Sequence, residues 1–307
     1  MKKHNTKVCF EDWYLRIVDA QGEKTLCCTV RLNKIGTNMQ GSLKGTLNIA
    51  DEEKQFEVTV TDASADSKSL KFGQNVLNNE RVVLDLQKVS PAINGCLELN
   101  QVIDLNQSFL QPGAMGFYKY LPFMEFYQEV IVLNGVTTGV LQIDGKEVDF
   151  TGGNCYLQRQ WGSKFPNIWL WAQCTNFDQP NDLTIMIGVA RLKVLFNYYT
   201  AFVIPVYYND QLEVFSNYNG GQIAKLYRYK GYVHLIVTQK NKVLDVKIYG
   251  RDELECVSSK ESHGIRDVYE CDQVKMEVKI SEQGNILWEG TSLGAHIEMG
   301  GNTSKLK

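Results

Sequence analysis

The chain has 307 residues, of which 22% are charged and 44% hydrophobic, and its formal net charge is -3. A charge this slight, without a cluster of Lys and Arg, argues against nucleic-acid binding, which needs a basic surface. No run of about 20 apolar residues occurs and no apolar signal region follows the first residues, so we expect neither a membrane span nor secretion. The sequence therefore predicts a soluble, cytoplasmic protein with one large domain or two smaller ones.

The eight cysteines and four histidines lack the spacings that are typical of metal sites and disulfide frameworks. No Cys-x-x-Cys motif occurs, and we expect the cysteines to be reduced, buried thiols. Isolated histidines are expected at the surface or in local hydrogen bonds, and they are His4, His234, His263 and His296. The sequence thus predicts no metal and no cofactor.

Short segments that alternate between apolar and polar residues, separated by turn dipeptides, predict antiparallel strands along the whole chain. The first strand is expected over 10–19, with Gln21-Gly22 as the turn that follows it. Further hairpin turns are expected, in chain order, at Asn94-Gly95, Asn134-Gly135, Asp144-Gly145, Asn209-Asp210 and Lys240-Asn241. Helical periodicity is nowhere sustained, although 251–259 would allow a short helix. These patterns predict an all-β protein.

The clearest break in the chain is the loop Thr151-Gly152-Gly153-Asn154, which divides it into 1–152 and 153–307. Each half begins with a strand that carries tryptophan, which hints at a duplicated domain. The number of strands fits two lipocalin-like antiparallel domains in tandem, each a β-barrel or a curled sheet. Barrels of this type hold a small apolar ligand.

Three of the five tryptophans lie between Cys155 and Phe177. Read as a strand from Asn167 onward, this segment alternates between two faces. One face carries Trp169, Trp171, Gln173 and Thr175, and the other carries Ile168, Leu170, Ala172 and Cys174. Two indole rings beside an amide form a wall suited to a flat or cationic molecule. The alternative is that these rings merely fill a large aromatic core.

The same region carries a family resemblance. Tyr156-Leu157-Gln158-Arg159-Gln160-Trp161-Gly162, then Phe165-Pro166, then Trp169-x-Trp171-x-Gln173-Cys174, resembles the most recognisable segment of the tocopherol cyclase family. The segments 12–16, 122–125, 139–145 and 295–301 also resemble parts of that family, so the likeness extends over nearly the whole chain. It implies a two-domain, lipocalin-like protein, distantly related to carotenoid hydratases, in a family whose members close a prenylated quinol into a chromanol.

That reaction has definite chemical demands. An acid must protonate an alkene in a dry pocket, and the quinol hydroxyl must attack the resulting cation while losing its proton. Aromatic faces stabilise a developing cation, a role that suits Trp161, Trp169 and Trp171. Polar groups that would contact the ligand from the same motifs are Tyr14, Tyr156, Gln158, Arg159 and Gln173.

The chain departs from the family pattern at the position of Gln158, which is usually Glu, and at that of Arg159, which is usually Lys. Because an amide cannot donate a proton as an acid, the remaining candidate acids are Glu125 and Glu298. In the alternative, Glu125 only neutralises an arginine such as Arg159, and Glu298 only pairs with a lysine at a strand end.

Two functions follow from these features. One is a proton-initiated cyclisation of a prenylated quinol in an aromatic-lined pocket. The other, favoured by the amide of Gln158, is a non-catalytic protein that binds an apolar isoprenoid or quinone-like molecule. A protein-interaction scaffold is a third reading, but it gives no reason for the clustered tryptophans.

Overall fold

The protein is described by a computed structural model that covers residues 10–35, 38–50, 52–105, 113–121, 124–178, 183–194, 197–229, 231–250 and 268–306. Contacts between Cα atoms divide the chain into two compact units, Met1–Pro122 with Phe126–Lys164 and Phe123–Glu125 with Phe165–Lys307. The described residues form 21 β-strands and three short 3₁₀ helices, Gly116–Tyr120, Asn217–Asn219 and Thr303–Leu306. Within the described ranges, no helix is long and apolar enough to cross a bilayer.

The first unit is a closed antiparallel ring. Its strands are β1 (Phe10–Val18), β2 (Thr25–Ile35), β3 (Asn38–Ile49), β4 (Glu52–Ala65), β5 (Ser69–Phe72), β6 (Asn75–Asn78), β7 (Arg81–Leu86), β8 (Ile93–Ile103), β9 (Phe126–Thr138), β10 (Val140–Ile143), β11 (Lys146–Asp149) and β12 (Asn154–Gly162). They pair in the order β11-β10-β8-β7-β6-β5-β4-β3-β2-β1-β12-β9, and β8 also pairs with β9. That last pairing closes ten strands into a barrel, to which the hairpin of β10 and β11 is attached.

The second unit is a curled antiparallel sheet of nine strands. They are β13 (Trp169–Cys174), β14 (Thr184–Val194), β15 (Asn197–Tyr208), β16 (Gln211–Ser216), β17 (Gln222–Tyr229), β18 (Tyr232–Gln239), β19 (Lys242–Tyr249), β20 (Val268–Glu282) and β21 (Asn285–Gly300). Their order is β16-β15-β14-β13-β21-β20-β19-β18-β17, so the Trp-rich strand β13 lies near the middle of the sheet. The prediction of an all-β protein built of lipocalin-like antiparallel sheets is confirmed.

Each unit buries one face of its sheet in a hydrophobic core of its own. In the first unit, alternate residues of β1 enter the core as Trp13, Leu15 and Ile17. In the second unit, Leu170 and Ala172 of β13 do the same. This alternation follows from the two-residue period of a strand, and burial of these apolar side chains stabilises each sheet by about 25 cal/mol per Å².

The predicted turns are partly confirmed. Asp144-Gly145, Asn209-Asp210 and Lys240-Asn241 connect hairpins, with positive φ at both residues of the first two turns and at Lys240 in the third. Gln21-Gly22 lies in the turn between β1 and β2. The prediction was wrong for Asn94-Gly95 and Asn134-Gly135, which lie inside β8 and β9.

The glycines of the two wrongly predicted turns serve close packing instead. A Cβ atom on Gly95 would lie 2.8 Å from the carbonyl oxygen of Val140 on the neighbouring strand β10. One on Gly135 would lie 3.2 Å from a methyl group of Val132. Glycine in a strand interior often marks such close approaches, which a dipeptide pattern does not distinguish from a turn.

The compact units part at 164/165, whereas the glycine loop predicts a division at 152/153. The two boundaries differ because β12, which follows the glycine loop, pairs with β1 and β9 and therefore belongs to the first sheet. Whether the two units fold as independent domains stays a prediction.

The cysteines agree only in part with the expectation of reduced thiols. Cys27, Cys28, Cys96, Cys155 and Cys174 are not in disulfides, but the expectation of burial is wrong for Cys96, which is exposed, and for Cys27, which is half-buried. Burial raises the pKa of the Cys28 and Cys155 thiols, which keeps them protonated. Cys271, however, is in a disulfide, so the expectation is wrong for this residue. The possible helix at 251–259, His4 and His263 lie outside the described residues.

Candidate functional site

The strand β13 separates two kinds of side chain, as its alternation predicts. Leu170, Ala172 and Cys174 join the hydrophobic core of the second unit, whereas Trp169, Trp171 and Gln173 point away from it. These three are nevertheless buried, with 4%, 9% and 0% of their surface exposed. The predicted sharing of one face by Trp169, Trp171 and Gln173 is confirmed.

The neighbouring strand β21 adds two ionisable side chains to this face. Gln173 is paired with His296 and Trp171 with Glu298, and residues directly opposite in adjacent strands project on the same side of a sheet. We call the group of Trp169, Trp171, Gln173, His296 and Glu298 the β13–β21 face.

Trp169 holds the carboxyl group of Glu298 in a fixed position. The indole Nε1 donates a hydrogen bond to Oε1 of Glu298 at 2.7 Å. The ring lies so close over Gly300 that a Cβ atom there would be 2.1 Å from ring carbon Cη2, and Phe165 packs edge-on at a centroid distance of 5.0 Å. The indole N–H is therefore satisfied by the carboxyl group of Glu298.

His296 lies between aromatic and acidic neighbours. Its ring meets Trp171 edge-on, with the centroids 5.5 Å apart. Its Nδ1 is 3.4 Å from an oxygen of Asp272 and its Nε2 is 3.5 Å from one of Glu270, both on β20. Imidazole and carboxylate groups are metal ligands in many proteins, and the ligand atoms of His296 and Asp272 lie within 4.8 Å of each other.

Sequence reasoning missed His296. The signal was present in Ala295-His296-Ile297-Glu298, whose alternation places His296 on the same face as Glu298. What the sequence does not reveal is that this face is paired with that of Trp171.

Gln173 is the least satisfied polar side chain of the face. It is 0% exposed, and neither its amide oxygen nor its amide nitrogen has a hydrogen-bond partner among the described residues. Leaving a buried amide without a partner costs about 1–3 kcal/mol, so most proteins avoid it. The amide can donate to and accept from a polar group of a bound molecule.

The candidates of the first unit fall on two different faces. Tyr14, Tyr156 and Gln158 lie on the face that points away from the core, because β1 pairs Tyr14 with Gln158 beside the core pair of Leu15 and Leu157. Oε1 of Gln158 accepts hydrogen bonds from the hydroxyl of Tyr156 at 2.7 Å and from Nε2 of Gln128 at 3.0 Å. These three candidates are buried on one face, where the rings of Tyr14 and Tyr156 are in edge contact at 6.2 Å and the buried Arg16 lies opposite Tyr156.

Arg159 and Trp161 lie on the opposite face from Gln158. Arg159 Nε donates to Oε1 of Glu11 at 2.8 Å, and the same oxygen accepts from Nε1 of Trp13 at 2.9 Å. The guanidinium carbon lies 4.4 Å from the Trp161 ring centroid, and Tyr127 stacks on that ring at 5.5 Å. The partner of Arg159 is therefore Glu11 and not Glu125, and the ring of Trp161 is occupied by protein contacts.

Glu125 is half-buried between the first 3₁₀ helix and β9. Within the described part of the chain, no hydrogen bond or ion pair joins it to the β13–β21 face. The structure thus brings together Trp169, Trp171, Gln173 and Glu298 and adds His296 to them.

The closed and curled sheets define a lipocalin-like class of all-β protein, and solved structures share this fold. Kievitone hydratase from Nectria haematococca matches with a TM-score of 0.51 at 13% identity, over 98% of this chain and 91% of that chain. CghA, solved with Sch210972, matches with a TM-score of 0.55 at 11% identity, over 94% of this chain and 87% of that chain. At these identities the likeness shows the fold alone.

The sequence narrows the class to a family. Residues 105–301 match the family model described as tocopherol cyclase-like, and the chain therefore belongs to the tocopherol cyclase-like family. The family resemblance stated from the motifs is confirmed. A probable chloroplastic tocopherol cyclase of Oryza sativa subsp. japonica is 26% identical over 113 residues, which are 36% of this chain and 24% of that protein. The match thus spans about a quarter of the length of the rice relative.

Proposed function

We propose that the chain binds a prenylated aromatic molecule against the β13–β21 face and closes a ring in it by proton transfer. The observation that carries this proposal is the 2.7 Å bond from Trp169 to Glu298, which holds a carboxyl group among buried indole rings. The family and the name of the rice relative support a cyclisation of this type.

In the proposed reaction, Oε2 of Glu298 gives its proton to one alkene carbon, which forms a C–H bond and leaves a tertiary cation. The ring of Trp171 stabilises that cation by about 0.5–2 kcal/mol. The phenolic oxygen then attacks the cation, its O–H bond breaks, and the proton returns to the Glu298 carboxylate. The substrate is only isomerised, so the step needs no oxidant, reductant or other reactant. The amide of Gln173 would orient an oxygen of the ligand.

A non-catalytic binding protein is the second candidate function. It is favoured by Gln158, an amide at a position where the family usually has a carboxylate. Its oxygen is used in hydrogen bonds from Tyr156 and Gln128, so this position donates no proton. Under this proposal the same face holds an apolar isoprenoid or quinone-like molecule without changing it.

The test is to add a prenylated hydroquinone to the purified protein, follow tryptophan fluorescence for binding, and follow chroman formation by chromatography and mass spectrometry. We expect saturable quenching and product formation. Glu298→Gln should abolish turnover and retain binding, because the amide keeps the shape but has no acidic proton. Glu289→Gln, on an exposed residue of the same strand β21, is the matched control and should change neither.

Glu125→Gln decides between the two candidate acids. Full activity in this variant supports Glu298 as the acid, and loss of activity there with full activity in Glu298→Gln would transfer the role to Glu125. Saturable binding with no product at any pH would select the non-catalytic function. Unchanged fluorescence over a panel of such ligands would contradict both functions. The cytoplasmic location also stays a prediction, to be checked by cell fractionation.

A further inference from the structure

A cavity of about 480 Å³ opens at one end of the second sheet, and we call it the mouth cavity. The end of β17, the start of β20 and the turn after β21 form its walls. Its lining includes Leu226, Arg228, Tyr269, Asn302, Thr303 and Ser304. Its volume lies in the range of about 300–1,000 Å³ that is usual for small-molecule sites.

The mouth cavity lies on the core side of the sheet, away from the β13–β21 face. Arg228 is paired with the core residue Val233, and Tyr269 with the core residue Met299, so both project toward the core side. Glu298 is the next residue along β21 from Met299 and projects to the other side. A ligand in the mouth cavity therefore does not contact Glu298 through this sheet.

Arg228 supplies the cavity with a positive charge. Its guanidinium carbon lies 4.3 Å from the centroid of the Tyr269 ring, a cation–π contact that orients the group. Among the described residues, no carboxylate lies within ion-pair distance of Arg228. A guanidinium offers five N–H donors in a planar fork that matches carboxylate and phosphate oxygens.

The rest of the lining combines apolar and polar groups. Leu226 and the Tyr269 ring form an apolar wall. In the turn after β21, Oδ1 of Asn302 accepts hydrogen bonds from the backbone N–H of Ser304 at 3.2 Å and from its hydroxyl at 2.6 Å. The hydroxyl of Thr303 adds a further hydrogen-bonding group to the lining.

We propose that the mouth cavity is a second ligand site, which binds a small organic anion. The carboxylate or phosphate group of this anion contacts Arg228, and its compact apolar body packs against Leu226 and Tyr269. This proposal does not depend on the cyclase proposal, because the two sites lie on opposite faces of the sheet.

The test is isothermal titration calorimetry of the full chain with benzoate, with phenyl phosphate and with neutral benzyl alcohol. We expect saturable binding of at least one anion, and at least tenfold weaker binding of the alcohol. Arg228→Ala should weaken anion binding at least tenfold, and Arg228→Lys should have a smaller effect because the charge is kept but the fork is lost. Arg81→Ala, on an exposed arginine of the first unit, and Trp171→Ala should leave it unchanged.

Binding of only one of the two anions would support the site and show whether it prefers a carboxylate or a phosphate group. Absence of saturable binding would overturn the proposal, as would equal affinity in wild type and a folded Arg228→Ala variant. Loss of anion binding in Trp171→Ala instead would assign the anion to the β13–β21 face and also overturn it. The melting temperature of each variant, with and without anion, confirms that the variant is folded.

Discussion

Gln173 and Gln158 are two buried glutamines with opposite surroundings. Gln173 has no hydrogen-bond partner among the described residues, whereas Oε1 of Gln158 accepts two hydrogen bonds. Removing an unsatisfied amide relieves a desolvation cost, while removing a satisfied one leaves its partners unpaired. The same substitution should therefore have opposite effects at the two positions.

We predict that Gln173→Leu raises the free energy of unfolding by about 1 kcal/mol and weakens binding of the prenylated hydroquinone at least tenfold. Gln158→Leu, the matched control, should lower the free energy of unfolding by about 1–3 kcal/mol. Urea denaturation and fluorescence titration measure the two quantities. Equal destabilisation by both substitutions would contradict an unsatisfied amide at Gln173.

At the scale of the element, the pairing of β13 with β21 decides the shape of the candidate site. Gly300 leaves room for the Trp169 ring, which in turn bonds to Glu298. The closeness of a glycine and a tryptophan across two strands therefore fixes the position of a candidate acid.

We predict that Gly300→Ala displaces the Trp169 ring, costs about 1–3 kcal/mol of stability and lowers turnover, because the added methyl group overlaps ring atoms. In the double variant Gly300→Ala with Trp169→Phe, the smaller ring should recover part of the stability but not the hydrogen bond. A double-mutant cycle by urea denaturation measures this coupling, and purely additive effects would contradict it.

A side chain joins two strands of the second sheet that are not neighbours in it. Oε1 of Gln239, on β18, accepts from the backbone N–H of Ser216 at 3.0 Å, and Nε2 donates to the carbonyl oxygen of Val214 at 3.1 Å. Both partners belong to β16, so the side-chain amide of Gln239 makes the hydrogen bonds to β16 that the backbone of a neighbouring strand would otherwise make.

We expect Gln239→Ala to destabilise the protein by about 1–3 kcal/mol, because the buried N–H of Ser216 loses its acceptor. Gln211→Ala, on an exposed glutamine of β16, should stay within about 0.5 kcal/mol of wild type. Urea denaturation gives both values, and faster hydrogen exchange of the Ser216 amide in Gln239→Ala would locate the change. Unaltered exchange of the Ser216 amide would argue against its hydrogen bond to Gln239.

At the scale of the whole molecule, β12 determines where the first unit ends. It pairs with β1 over nine residue pairs and also with β9, so the ring of ten strands is incomplete without it. Each unit also has a core of its own, which is the usual condition for separate folding.

We therefore predict that a fragment of residues 1–164 unfolds cooperatively in urea, whereas a fragment of residues 1–152 does not. Loss of β12 would expose the long edges of β1 and β9 and the core beneath them. Circular dichroism during urea titration measures both transitions. Cooperative unfolding of the shorter fragment would contradict the role of β12, and failure of the longer one would contradict separate folding of the first unit.

The sequence by itself determined the all-β class, three of the predicted hairpin turns, the family, and the face that Trp169, Trp171 and Gln173 share. All of these depend on residues close together in the chain, because strand alternation and turn chemistry are local properties. Only the tertiary structure decided that His296 and Glu298 join this face, that Arg159 pairs with Glu11, and that Asn94-Gly95 lies inside a strand. These features depend on the pairing of segments distant in sequence, such as β13 with β21, and pairing register is set by the packing of the whole sheet.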